Sequence, residues 1–317
     1  MQTPRWFLGS VCAGALVLPL ALDALSLTLR DVVDDDSRWV GEGLRQKGLI
    51  ADHTTAPQIL LAGGSNVNYG YSAAQIEREF GVPATNLAVH AGLGRRYIFW
   101  DCLRHAKRGD LVVLGLEYAL YGHLFRDPAE RYQVFIYDRA YYEQLPWIEK
   151  VILLGSMSPG DWSKLLRAKA GWRKPKASLS LLVLSQRGDQ TDNTEPDVRL
   201  QEGPPFEGVV GPEFTGDLRD FAKAVRERGA VVALVFPNLR DAEFRRRIKP
   251  GFLADIHQAA DAAGVRVVGT PESSAFPTQY AYNTNYHLNA EGTRIATRRL
   301  MRELAEAGAR LPAHPSR

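Results

Sequence analysis

Residues 58–70 read QILLAGGSNVNYG. The segment is an apolar run closed by glycines, the signal of a buried strand. It passes directly into Ser65, Asn66 and Asn68, residue types favoured at turns and helix starts. The same alternation continues outward. Ser72 with Gln75 has the form of a capping box and opens a short helix, SAAQIEREF. NLAVH (86–90) predicts a second strand, residues 96–107 a helix, and LVVLGLE (111–117) a third strand apolar enough to be buried on both faces. Further on, residues 217–228 predict a helix, AVVALVF (230–236) a strand, 254–263 a helix, VRVVG (265–269) a short strand, and 289–305 a closing helix. Strands alternating with helices imply parallel pairing through right-handed crossovers. The expectation is one α/β domain over 57–310, a three-layer sandwich with a mainly parallel sheet. Its site is expected at the carboxyl ends of the strands.

The bulk composition excludes several function classes. In 317 residues the net charge is only +3, which gives no case for nucleic acid as the main partner. Two cysteines, Cys12 and Cys102, cannot build a disulfide framework, and no CxxC or HExxH spacing points to a metal. No cofactor is expected.

The N-terminus carries a separate signal. Residues 6–22, WFLGSVCAGALVLPLAL, contain no charge; Arg5 precedes them, and Asp31, Asp34, Asp35 and Asp36 follow. That charge order predicts an N-in, single-pass anchor over 1–30 in the cytoplasmic membrane, with the α/β domain facing the periplasm or exterior. Secretion after signal cleavage is the alternative. Residues 31–56 read as a polar connector with a short helix. Residues 119–215 break the α/β rhythm and read as an inserted cap, with an aromatic stretch at 131–147 and a Trp-, Lys- and Arg-rich stretch at 162–176.

Two segments place chemistry at strand ends. Ser65 lies just past the first strand, and its own backbone N–H can help bind an oxyanion. His287, in YNTNYHLNAEG (282–292), lies in the loop before the last helix, where it can act as base toward a serine. Set in order, Gly63-Gly64-Ser65-Asn66, the glycines of AGLGRR (Gly92 and Gly94), Gly115-Leu116-Glu117-Tyr118 and Thr284-Asn285-Tyr286-His287 resemble the four sequence blocks of the SGNH hydrolases and their acyltransferase relatives. The resemblance covers most of 58–299 outside the insertion.

The resemblance implies a flavodoxin-like sandwich with a Ser65–His287 dyad. It also implies an oxyanion pocket drawn from Gly64, Asn66, Gly92, Gly94 and Glu117. Three positions depart from the family. Gly64 stands where the family has Asp, Glu117 where it has an oxyanion-binding Asn, and Thr284 where it has the Asp that orients the histidine. Thr284, Asn285 and Asp189 are therefore the orienting candidates, with Glu117 as a further carboxylate. The nearest likeness is to extracytoplasmic members such as alginate O-acetyltransferase-like proteins and the D-alanyl transfer protein of teichoic acid synthesis. The implied function is acyl ester hydrolysis or O-acyl transfer on a polysaccharide or cell-envelope glycan. The alternative is a catalytically silent relative that binds a glycan or an envelope-assembly protein.

Overall fold

The computed structural model describes residues 17, 20–21, 23–29, 38–122, 138–172, 184–194, 206 and 208–312. The chain divides into two compact units, Glu42–Arg126 with Leu182–Arg317, and Met1–Gly41 with Asp127–Leu181. The first unit carries the sheet.

Seven strands are described there: β1 (Ile59–Gly63), β2 (Ala84–Asn86), β3 (Leu111–Gly115), β4 (Val231–Val235), β5 (Leu239–Arg240), β6 (Arg266–Val268) and β7 (Ala275–Phe276). Five form one sheet in the order β2-β1-β3-β4-β6, and every pairing is parallel. Successive side chains of a strand point to opposite faces. Leu60, Ala62, Val112, Leu114 and Leu234 therefore pack on one side with residues of the helices Arg95–His105, Phe214–Glu227 and Pro250–Ala263. Ile59, Leu61, Val113, Ala233 and Val235 pack on the other with the helices Ala73–Phe80 and Ala290–Glu306. This is the expected α/β architecture, helices covering both faces of a parallel sheet.

Three details differ from the sequence reading. β2 spans 84–86, not 86–90. Leu87 N still donates to Leu61 O, but then side chains take over the backbone groups. Asn86 Oδ1 accepts from Ala88 N, and Lys47 Nζ donates to Ala88 O. The Arg38–His53 helix, expected within a connector, belongs to the sheet unit from Glu42 onward and buries Leu44, Lys47 and Ala51 there. The two-residue strands β5 and β7 pair in parallel outside the main sheet.

The other unit contains the helices Arg139–Gln144, Trp147–Ser156 and Pro159–Lys169. The expected anchor, residues 6–22, lies largely outside the described residues. Among the described residues no helix is long and apolar enough to cross a membrane, and the expectation of a single-pass membrane protein is corrected accordingly. The physical reason lies in the stretch that continues the run. Asp23 accepts a hydrogen bond from Tyr142 Oη at 3.1 Å, and Leu29 is buried against Leu154, Met157 and Leu165. Leu29, with Leu25 partly buried beside it, faces protein, while Leu27 is exposed.

The strand ends β1 and β3 finish in a glycine pair, Gly63 and Gly115, which are in register. A Cβ on Gly63 would fall 2.1 Å from the Gly115 carbonyl oxygen and 2.6 Å from Val67 Cγ2. This lets the one-turn helix Ser65–Asn68 fold tightly over the strand ends. Gly63→Ala is expected to cost about 2 kcal/mol or more, because the obstacle is backbone. Gly216→Ala has no atom within 4 Å of its added carbon and is expected to raise stability by about 0.5–1 kcal/mol. Urea unfolding of the two variants checks the contrast.

Candidate functional site

The chain runs from β1 to β2 on one side and then crosses to β3 on the other, so the sheet has its topological switch between β1 and β3. Ligand crevices in open parallel sheets form at the carboxyl ends of strands at such a point. Ser65 follows β1 and Glu117 follows β3, so both stand there.

Ser65 opens the Ser65–Asn68 turn, with Val67 N and Asn68 N donating to Gly64 O at 3.1 and 3.2 Å. Tyr69 N donates to Ser65 O at 3.0 Å, one turn on. The turn is tied down from three sides. Lys47 Nζ donates to Asn68 Oδ1 at 2.6 Å, Asn86 Nδ2 to Val67 O at 3.3 Å, and Thr293 Oγ1 to Tyr69 O at 2.7 Å. Burial pushes the Lys47 ammonium down to about 7, opposed by Asp189 and Asp101.

Glu117 is buried and reaches onto this turn. Its Oε1 accepts from Asn66 N at 2.9 Å and from Ser65 Oγ at 3.4 Å. Burial raises its carboxyl to about 7, while backbone N–H groups of Asn66, Glu117 itself and Gly64, with the Ser65 hydroxyl, pull the other way. Its Oε2 and both amide atoms of Asn66 are buried with no hydrogen-bond partner among the described residues.

His287 is half-buried and stacks on Tyr69, ring centroids 4.5 Å apart and planes 23° from parallel. Its Nδ1 lies 2.6 Å from Asn283 Oδ1. A carbonyl oxygen only accepts, so this contact assigns the proton to Nδ1 and leaves Nε2 as the acceptor. Burial, with His90 adding to it, lowers the imidazole to about 3. The ring is therefore neutral at neutral pH.

The other expected residues stand elsewhere. Thr284 does not touch the ring; its Oγ1 accepts from the backbone N of Tyr286 and His287 at 3.1 and 3.2 Å and shapes the loop. Asn285 is buried, and its backbone carbonyl accepts from the N–H of Arg240, the last residue of β5. Asp189 is not a partner of His287. Its carboxylate accepts from Ser72 Oγ, Ala73 N and Ala74 N, holding the start of the Ala73–Phe80 helix. Gly92 N is committed to His90 Nδ1 at 2.7 Å and Gly94 N to Ala91 O at 2.9 Å. Neither amide is open to an oxyanion in this conformation.

Asn283, Lys47, Tyr69 and His90 were not singled out from the sequence as site residues. Lys47 had a signal: with Val40, Leu44 and Ala51 it follows the helical apolar spacing, a charged residue on a buried face. Among the described residues, no group of three or more His, Cys, Asp or Glu is arranged to hold a metal ion.

No protein-family model matches the chain, and no curated protein matches it. Among solved structures, the chain is similar to the crystal structure of the YxiM protein from Bacillus subtilis, at 13% identity and a TM-score of 0.40. The match covers 80% of this chain and 58% of that one. A likeness of that size says nothing about activity.

The raised carboxyl of Glu117 has a stability consequence. The protonated form is favoured in the folded state, so its contribution is fully present below about 4.5 and is lost as pH rises through about 7. Glu117→Gln is expected to flatten the stability profile across that window, by on the order of 3 kcal/mol between its ends. Chemical denaturation at a series of pH values measures it; an equal slope in both proteins would contradict the assignment.

Proposed function

We propose that the chain is an SGNH-type acyl ester hydrolase or O-acyltransferase, with Ser65 as nucleophile and His287 as its base. One observation carries this reading. The His287 ring is held on Tyr69, four residues after Ser65 in the same turn, with Nδ1 fixed by Asn283 and Nε2 left as acceptor.

This reaction requires Ser65 Oγ to leave Glu117 and turn toward the imidazole. Its oxygen attacks the acyl carbonyl carbon as Nε2 takes the proton. The tetrahedral adduct collapses, and the departing alcohol oxygen receives that proton. Water or a sugar hydroxyl then attacks the Ser65 ester through the same proton path and frees the serine. Asn283 holds the tautomer, as the asparagine does in Cys-His-Asn sites, but cannot stabilise imidazolium with a full charge. A modest rate is expected from such a dyad. The resemblance to envelope acyltransferases supports a glycan ester as substrate and envelope-assembly proteins as partners.

A second reading, a glycan- or partner-binding protein without catalysis, is favoured by two contacts. The Ser65 hydroxyl engages Glu117, and the Gly92 N–H engages His90.

A fluorophosphonate probe and an activated acetyl ester separate the two. The enzyme reading expects labelling at Ser65, and its loss in Ser65→Ala and His287→Ala with unchanged far-UV circular dichroism. Asn283→Ala should lower the rate by about 10-fold or more. Asn283→Asp, which restores a carboxylate to the ring, should raise it. Activity retained in Ser65→Ala or His287→Ala contradicts the mechanism. A wild type that never labels supports the binding reading.

A further inference from the structure

Glu117 and Gly64 occupy one volume. A Cβ built on Gly64 would lie 2.4 Å from both carboxylate oxygens of Glu117 and 2.7 Å from its Cδ. Any side chain at 64 must therefore displace the carboxylate. Glu117 has a flexible stem, but moving it breaks the bonds to Asn66 N and Ser65 Oγ and leaves a buried carboxyl without donors. The carboxylate stands against the residue before the nucleophile, delivered from the end of β3 instead of the end of β1.

We propose that Gly64 and Glu117 are one exchanged unit: position 64 is held to glycine to admit the Glu117 carboxylate, which acts as the positioning residue for the Ser65–Asn66 turn. A carboxylate fits at 64 or at 117, not at both. Glu117 does not attack, and it takes no proton in the reaction; it fixes where Ser65 Oγ starts. The catalytic consequence rests on the Ser65 reading above, but the coupling of the two positions does not. The high carboxyl pKa, set by burial, makes this hold sensitive to pH near neutrality.

The test is a double-mutant cycle on the full chain with two readouts, thermal melting and the rate of Ser65 labelling by a fluorophosphonate. Gly64→Ala alone should lower the melting temperature and slow labelling by about 100-fold, the scale of a misplaced reacting atom. In the Glu117→Ala background the same substitution should have little further effect on melting, and the swap Gly64→Asp with Glu117→Asn should melt above Gly64→Asp alone. Additive effects of 64 and 117 on melting would overturn the exchange. Glu117→Gln, which keeps the shape and an acceptor, should retain labelling but remove an inflection near pH 7 from the rate profile. Lys47, which holds the same turn through Asn68 and is also lowered to about 7, faces this window too, so the profile is read in Lys47→Met as well. An inflection present in Lys47→Met and unchanged by adding Glu117→Gln would overturn the positioning role. A wild type that is never labelled overturns the acyl-transfer reading and the positioning role together, while the melting cycle still decides whether the two positions are coupled.

Discussion

A carboxyl group out of water needs donors, and Glu117 finds them in the turn that carries the candidate nucleophile. Asn66 N and the Ser65 hydroxyl both point at Oε1. The rest of the site follows from this contact. It sets the starting rotamer of Ser65, it excludes a side chain at 64, and it places a titrating group beside the serine. The approach is possible because β1 and β3 end in register at Gly63 and Gly115, so the turn sits low over both strand ends.

Around that contact the molecule spends further buried polar groups on the same turn. Lys47, nearly inaccessible, ties Asn68 to the backbone after β2, and Asn86 leaves the β2 ladder to bind Val67 O and Tyr71 O. The last helix contributes Thr293 to Tyr69 O. Such a network is over-determined, and it fixes the backbone of the Ser65–Asn68 turn closely. The histidine is arranged differently. It has an amide partner and a stacked tyrosine instead of a carboxylate, and burial keeps it neutral. The carboxyl group that a triad would place beside the imidazole stands instead beside the serine, where burial favours its protonated form.

The sheet was legible in the sequence because its strands are buried on both faces and read as apolar runs. β1, β3 and β4 fall within the runs that signalled them. β2 was misplaced by two residues because Asn86 and Lys47 satisfy the backbone through side chains, which an apolar count does not register. β5 and β7 are two residues each, too short to carry a period. At the candidate site, Ser65 and His287 were singled out by their positions at strand and helix ends. Asn283 was missed because the family spacing pointed to the residue three before the histidine, and the loop here presents the residue four before it. Asp189, a lone acid in a polar loop, looked available in sequence and is committed to a helix start. The link between Gly64 and Glu117 could not be read from the chain at all. The two are 53 positions apart, and only the parallel register of β1 and β3 brings them together.

The central claim is that a buried Glu117 carboxyl rests on the Ser65 turn. Its own titration tests this most directly, by 13C NMR of glutamate carboxyls, with the resonance assigned by its loss in Glu117→Gln. The structure predicts a midpoint near pH 7 for this group. A midpoint near the ordinary value of about 4.5 would mean a solvated carboxylate and would contradict the account.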